Sequence, residues 1–535
     1  MSVSPQHLLR AITESGLLQA SEQGALIAEA RRARKDPLEV ASARLRLPRE
    51  VFYRALAQQR GLPFCETCEL VPDRERLALL PVRLLIRRGI LPVQAPDGAP
   101  LLAISDPEQE AAIEAVATIL GAPPRLSLAE PSALQAVLRR ATGQAAASES
   151  GWDAVAFLHD LLRQAWLHRA SDLHLDPQQD GLTIRMRVDG RLQPHGPVLP
   201  HEDANQLMTR IKVLGGLDIA ERREPQDGGF SYRLEEEDQD LDLRLATIPT
   251  RREGERATLR ILGVETQRLT IGNLGFSQQA LARLRETLAQ PHGLFLLTGP
   301  TGSGKTTTLY AALRELARPD LSVLTVEDPV EFMVEGVTQI QVDRAGKVTF
   351  ARALRSLLRH DPDVLMVGEI RDRETTDVAV QAALTGHLVL SSLHTNRAAA
   401  APVRLIDLGS EPFLLASVLR GALAQRLVRR LCERCRRPRE AEPGELARMG
   451  HAEAARVWEP EGCPSCLGSG YQGRLAVTEA LWVDSEIARA IEGRASEDRL
   501  LELARAKGGG SLLEDALAKV LSGETSPAEA WRARA

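Results

Sequence analysis

The stretch GLFLLTGPTGSGKTTTLY, Gly293 to Tyr310, passes from an apolar run into glycines, a lysine and three threonines. Gly299, four residues, then Gly304, Lys305 and Thr306 have the spacing of a phosphate-binding loop. Glycine removes the Cβ, so the run Gly299, Pro300, Thr301, Gly302, Ser303, Gly304, Lys305, Thr306, Thr307 can wrap a polyphosphate at the positive end of the helix that follows. Lys305 is placed to neutralise β and γ oxygens, and Thr306 to hold Mg²⁺. Cleaving a phosphoanhydride also needs acids. LTVEDP and VLMVGEI deliver Glu327 and Glu369 just after apolar runs, and strand C-terminal ends are where open α/β sheets place ligands. One glutamate there can orient or deprotonate the attacking water while another holds Mg²⁺ through water. His387 and His394 bracket the next apolar run, and only the end nearer the phosphates can sense them.

All six cysteines fall in Cys-x-x-Cys pairs. Cys432/Cys435 and Cys463/Cys466 together offer four thiolates for a closed, structural Zn²⁺ site, with free thiols as the alternative. Cys65/Cys68 has no second pair near it and is read as coincidence.

These residues need elements to position them. From about Leu274, apolar runs alternate with helices, as in a parallel sheet covered on both faces. The first ~140 residues read as helices with short strand candidates GILPVQ and PLLAIS, and TGQAAASESG reads as a linker. Asp189-Gly190 signals a hairpin, the acidic run Glu235 to Asp238 a solvated hairpin tip, and the C-terminus is again helical. Net charge is −5 and aromatics are 3% of 535 residues, which gives no basic stripe or stacking platform for nucleic acid. No apolar run of membrane-spanning length and no signal-peptide pattern is present, so a cytoplasmic chain is expected.

The motifs GPTGSGKTTTLY, LTVEDPVE, LRHDPDVLMVGEIRD, LTGHLVLSSLHTN, AQRLVRRLC and GYQGRLAVTE, with ASDLHLDP and IKVLGGLDIAERREPQDG upstream, resemble the secretion ATPase superfamily that drives type II secretion and type IV pilus assembly. The resemblance covers roughly Trp152 to the C-terminus. It implies an α/β fold: a PAS-like α+β N2 domain (152–265), a RecA-like P-loop ATPase core (270–428), a tetracysteine zinc module (429–475) and a C-terminal helical part (476–535). Ahead of them stand a helical N-terminal adaptor that docks a partner (1–141) and the linker (142–151). It implies ATP, Mg²⁺ and Zn²⁺ as cofactors, and a homo-hexamer at the inner face of the bacterial inner membrane, bound through a membrane platform protein.

Residue by residue, the family's Walker A lysine matches Lys305, its Asp-box glutamate Glu327, its Walker B glutamate Glu369 and its His-box histidines His387 and His394. Arg210 matches an arginine that the N2 domain sends towards the nucleotide. Where many relatives read PQDGR this chain has Gly229, so Arg222, Arg223 or Arg233 takes that place or the site works with one guanidinium fewer. ALAQQRGLPF is only a degenerate echo of a cyclic di-GMP motif, so no such binding is expected. Type II secretion is the expected role, with pilus assembly as the alternative.

Overall fold

Runs of apolar residues bounded by turns become strands buried on both faces. In the computed structural model, which describes residues 3–533 except 34, 67–69, 96–97, 143–151, 236, 252–253, 263–268, 343–347 and 450–454, the chain divides into two compact units. One is Met1–Val264 with Cys463–Gly468, the other Glu265–Gly462 with Ser469–Ala535.

The second unit is built on a seven-stranded sheet whose strands are labelled here in chain order: β1 Gly293–Thr298, β2 Val323–Glu327, β3 Val337–Gln341, β4 Val364–Val367, β5 Leu388–Leu393, β6 Leu419–Leu431 and β7 Tyr471–Trp482. Their spatial order is β3-β2-β4-β5-β1-β6-β7. Every pairing is parallel except β6 with β7, which is antiparallel. β1, β2, β4 and β5 are buried at every residue, and helices such as Lys305–Leu316 and Arg373–Leu384 cover the faces, giving two cores, one centred on Leu294, Val326 and Val389 and the other on Phe295, Tyr310 and Leu390. The parallel arrangement brings the C-terminal ends of β1, β2, β4 and β5 to one edge. Four helices, Ser485–Glu492, Glu497–Ala506, Leu512–Leu521 and Pro527–Arg532, close the chain. β7 runs on both sides of residue 475.

The first unit holds two separate cores. Residues up to Ala141 pack helices such as Pro5–Glu14 and Arg49–Arg60 with a three-stranded sheet, Ile90–Val93, Leu101–Ile104 and Arg125–Leu128. The second core sets helices Ala154–Leu167 and His201–Leu214 on a six-stranded antiparallel sheet. Asp189 and Gly190, at φ 47° and 83°, make the tight turn between two of its strands. At the acidic hairpin tip Glu235 and Asp238 are exposed as expected, and Glu237 departs from that expectation. Glu237 is fully shielded and pairs with Arg163 at 2.5 Å, because the tip folds over the helix Ala154–Leu167. Among the described residues, no helix is long and apolar enough to cross a membrane.

Candidate functional site

The phosphate loop follows β1 and ends where Gly304, at φ 88°, caps the helix Lys305–Leu316. Gly299, Gly302 and Gly304 all take positive φ, which a side chain strains. Lys305 is 9% exposed and its Nζ donates to the loop's own carbonyls, Gly299 O at 2.7 Å and Pro300 O at 3.1 Å. Burial lowers the Lys305 pKa, with the charge of Glu369 acting against that shift. The Lys305 amine is thus held by the loop's own backbone carbonyls. Thr306 is exposed at the first turn of the helix.

Glu369 follows β4 in a segment pinned on both sides. Gly368 N–H donates to Val326 O at 2.8 Å and Ile370 N–H to Ser392 O at 3.0 Å. The hydroxyls of Ser391 and Ser392 on β5 donate to Val367 O and Gly368 O, each at 2.7 Å. The Glu369 carboxylate meets Arg371 Nε at 2.6 Å and His394 Nε2 at 3.3 Å. Glu369, Arg371 and His394 therefore form one cluster at the edge that holds Lys305.

Glu327 ends β2 and is 3% exposed. Its Oε1 accepts from Thr325 Oγ1 at 2.5 Å and Gln339 Nε2 at 3.1 Å, and its Oε2 accepts from the Tyr310 hydroxyl. Tyr310 stands on the helix that begins with Lys305, so Glu327 is tied to the loop's own helix; burial, then that bond, pushes the phenol far up. Tyr310 and Thr325 lie inside the stretches GPTGSGKTTTLY and LTVEDPVE and Gln339 on β3, but spacing along the chain does not show that the three side chains converge on Glu327.

His394 and His387 part company. His394 lies past the C-terminal end of β5, whereas His387 precedes it at the opposite edge, with Nδ1 2.8 Å from Ala382 O. In the first unit, Arg210 lies on the helix His201–Leu214, half-buried, with a buried Nε that has no hydrogen-bond partner among the described residues. Of the arginines considered for the place of Gly229, Arg233 is engaged by Asp238 and by Asp240, the latter at 2.7 Å, while Arg222 and Arg223 are exposed. Directly across the strand pair from Gly229 is Arg244, which sequence spacing alone does not reveal.

Cys432, Cys435, Cys463 and Cys466 present sulfurs that all lie within 4.8 Å of one another. Cys463 and Cys466 sulfurs are 3.7 Å apart, close to the edge of a tetrahedron with metal–sulfur bonds of ~2.3 Å. In each pair the second cysteine's N–H donates to the carbonyl of the first, at 3.2 Å, turning both thiols inward. The donor set and spacing fit zinc. Cys65 is buried apart from them, and Cys68 lies outside the described residues.

Residues 149–532 match the family described as Type II/IV secretion system protein, and residues 60–148 match the MshEN domain. The chain is 46% identical over 387 residues to Type II secretion system protein HxcR of Pseudomonas aeruginosa, covering 72% of this chain and 78% of that one. It is 40% identical over 493 residues to Type II secretion system protein E of Xanthomonas campestris, covering 87% and 86%. Type IV pilus assembly ATPase PilB of Thermus thermophilus is 40% identical over 509 residues, 89% of this chain but 56% of that one, so the chain spans a little over half of that relative's length. The fold is similar to the solved Legionella pneumophila ATPase DotB, with TM-score 0.55 at 24% identity over 72% of this chain and 97% of that one.

Proposed function

The chain belongs to the Type II/IV secretion system protein family of ATPases, and from that membership we propose that it hydrolyses ATP to drive pseudopilin assembly for type II secretion at the inner face of the inner membrane. One observation carries the chemistry: Lys305, Glu369 and His394 meet at the edge where the phosphate loop ends. ATP lies in the loop, Lys305 neutralises the β and γ oxygens, and Thr306 with Glu369 holds Mg²⁺. Glu327, fixed by three donors, orients the attacking water, so positioning is its main contribution. His394 fixes the Glu369 carboxylate, and His387 anchors the opposite end of β5.

Arg210 supplies positive charge to the transition state from the N2 domain, and Arg244 stands in for the arginine missing at Gly229. Binding and release of nucleotide swing the N2 domain against the ATPase core in a homo-hexamer. The N-terminal region docks on a membrane platform protein, which passes the stroke to pseudopilins. The four cysteines hold Zn²⁺ as a structural ion.

Secretion is favoured over pilus assembly because the secretion relatives match over most of their own length, whereas the pilus relative matches over 56% of its own. Deleting the gene in its host and restoring either wild type or Glu369→Gln tests this. Secreted hydrolases should vanish from the medium and return only with wild type; loss of surface pili with secretion intact would assign the chain to pilus assembly.

A further inference from the structure

Strand β6 carries the stretch LRGALAQRLVRRL beside the phosphate loop. Ala424 pairs with Thr298, the last residue of β1, which puts Gln425 next to Gly299. The Gln425 side chain is 2% exposed, and its two amide atoms bind the two ends of the turn into the helix. Nε2 donates to Ser303 O at 2.9 Å, and Oε1 accepts from Thr308 Oγ1 at 2.8 Å.

The loop is shaped around this residue. A Cβ on Gly299 would lie 2.5 Å from the backbone carbonyl oxygen of Gln425, and one on Gly304 would lie 2.8 Å from the side-chain Nε2 of Gln425. A Cβ on Gly302 would meet nothing within 4 Å. Gly299 and Gly304 thus make room for Gln425 as well as for phosphate.

The other edge of β6 ties this point to distant chain. Gln425 pairs with Thr478 and Ala424 with Glu479 on β7. Thr478 N–H donates to Asp515 Oδ2 at 2.7 Å, and Asp515 in turn pairs with Lys519 at 2.6 Å on the helix Leu512–Leu521. Glu479 accepts the Ala398 N–H at 3.0 Å, just past His394.

We propose that Gln425 is a positioning residue that locks the phosphate loop to the β6–β7 pair, so that nucleotide bound in the loop is felt by β7 and by the helix Leu512–Leu521. The amide is needed because one atom must donate to a carbonyl while the other accepts from a hydroxyl. A carboxylate cannot make the donation, and leucine leaves both loop groups buried without partners. The inference rests on ATP binding at residues 299–306.

The test uses the full chain, a fluorescent ATP analogue titrated at pH 8 and pH 6, and hydrogen exchange with nucleotide at saturation. At pH 8, Gln425→Glu and Gln425→Leu should each bind about tenfold more weakly than wild type. Gln425→Glu should recover towards wild type at pH 6, because burial raises the carboxyl pKa and the protonated acid regains a donor; Gln425→Leu should not recover. Nucleotide should slow exchange across residues 471–482 in wild type and leave it unchanged in Gln425→Leu. Wild-type affinity of Gln425→Glu at pH 8, weak binding by it at both pH values, or equal protection of residues 471–482 in Gln425→Leu overturns the proposal. A wild-type chain that takes up no analogue overturns the ATP reading itself, a separate and visible failure.

Discussion

Glu327 and Glu369 end neighbouring strands of one sheet, yet their surroundings divide the work between them. Glu369 faces the Arg371 guanidinium at 2.6 Å and the His394 ring at 3.3 Å, whereas Glu327 is clasped by neutral donors from Tyr310, Thr325 and Gln339. Glu327→Gln should keep ATP affinity and lose turnover, read by equilibrium binding and steady-state phosphate release; retained turnover would move the water-orienting role to Glu369. Tyr310→Phe removes one donor and frees the carboxylate to rotate, so kcat should fall about tenfold with KM for ATP nearly unchanged. An unchanged kcat would show that Thr325 and Gln339 suffice. Both strand-end acids were legible in the sequence, because a carboxylate after an apolar run announces a strand end. Their partners were not, because Tyr310, Thr325 and Gln339 reach Glu327 from three different elements, and that convergence is a property of the folded sheet and its helix.

At the scale of elements, the sequence resolves β1, β2, β4 and β5 through their continuous apolar runs, fully buried as expected of parallel strands. β6 was hidden. Its leucines, alanines, glutamine and arginines favour helix locally, and only pairing with β1 and β7 holds them extended. The same blindness concealed Gln425. The register that sets Arg244 opposite Gly229 is likewise a property of the paired strands and of neither alone. The four-cysteine cluster was legible by spacing, and between its two pairs stand a short helix, Pro443–Met449, and a two-stranded sheet, Arg437–Glu440 with Arg456–Glu459. Metal analysis should find one zinc per chain. Cys432→Ser should lose it and lower the melting temperature by several degrees, since removing one thiolate opens the closed site; zinc retained at full occupancy would contradict the assignment. Titration calorimetry of cyclic di-GMP into the full chain should give no heat of binding, and stoichiometric uptake would reverse that expectation.

For the whole molecule, the first unit carries a pH liability. Burial lowers the pKa values of His168 and His195 to about 4, and their rings meet edge to face at 5.9 Å. The unfolded chain binds these protons near pH 6.5, so the folded state gains its full advantage above that value and loses it as pH falls from about 6.5 to about 4. Glu50, pushed up by burial, acts in the opposite sense, so the histidine share is read by comparing wild type with His195→Asn. The variant should show a smaller drop in melting temperature between pH 7 and pH 5; an equal drop would assign the acid sensitivity elsewhere. The motor account itself depends on ATP being gripped and cleaved at the loop before residue 305. Its most direct test is steady-state phosphate release by the purified full chain with Mg²⁺ and ATP, wild type against Lys305→Ala. Turnover by wild type, absent in the variant, is the predicted result, and hydrolysis by Lys305→Ala at the wild-type rate would contradict the account.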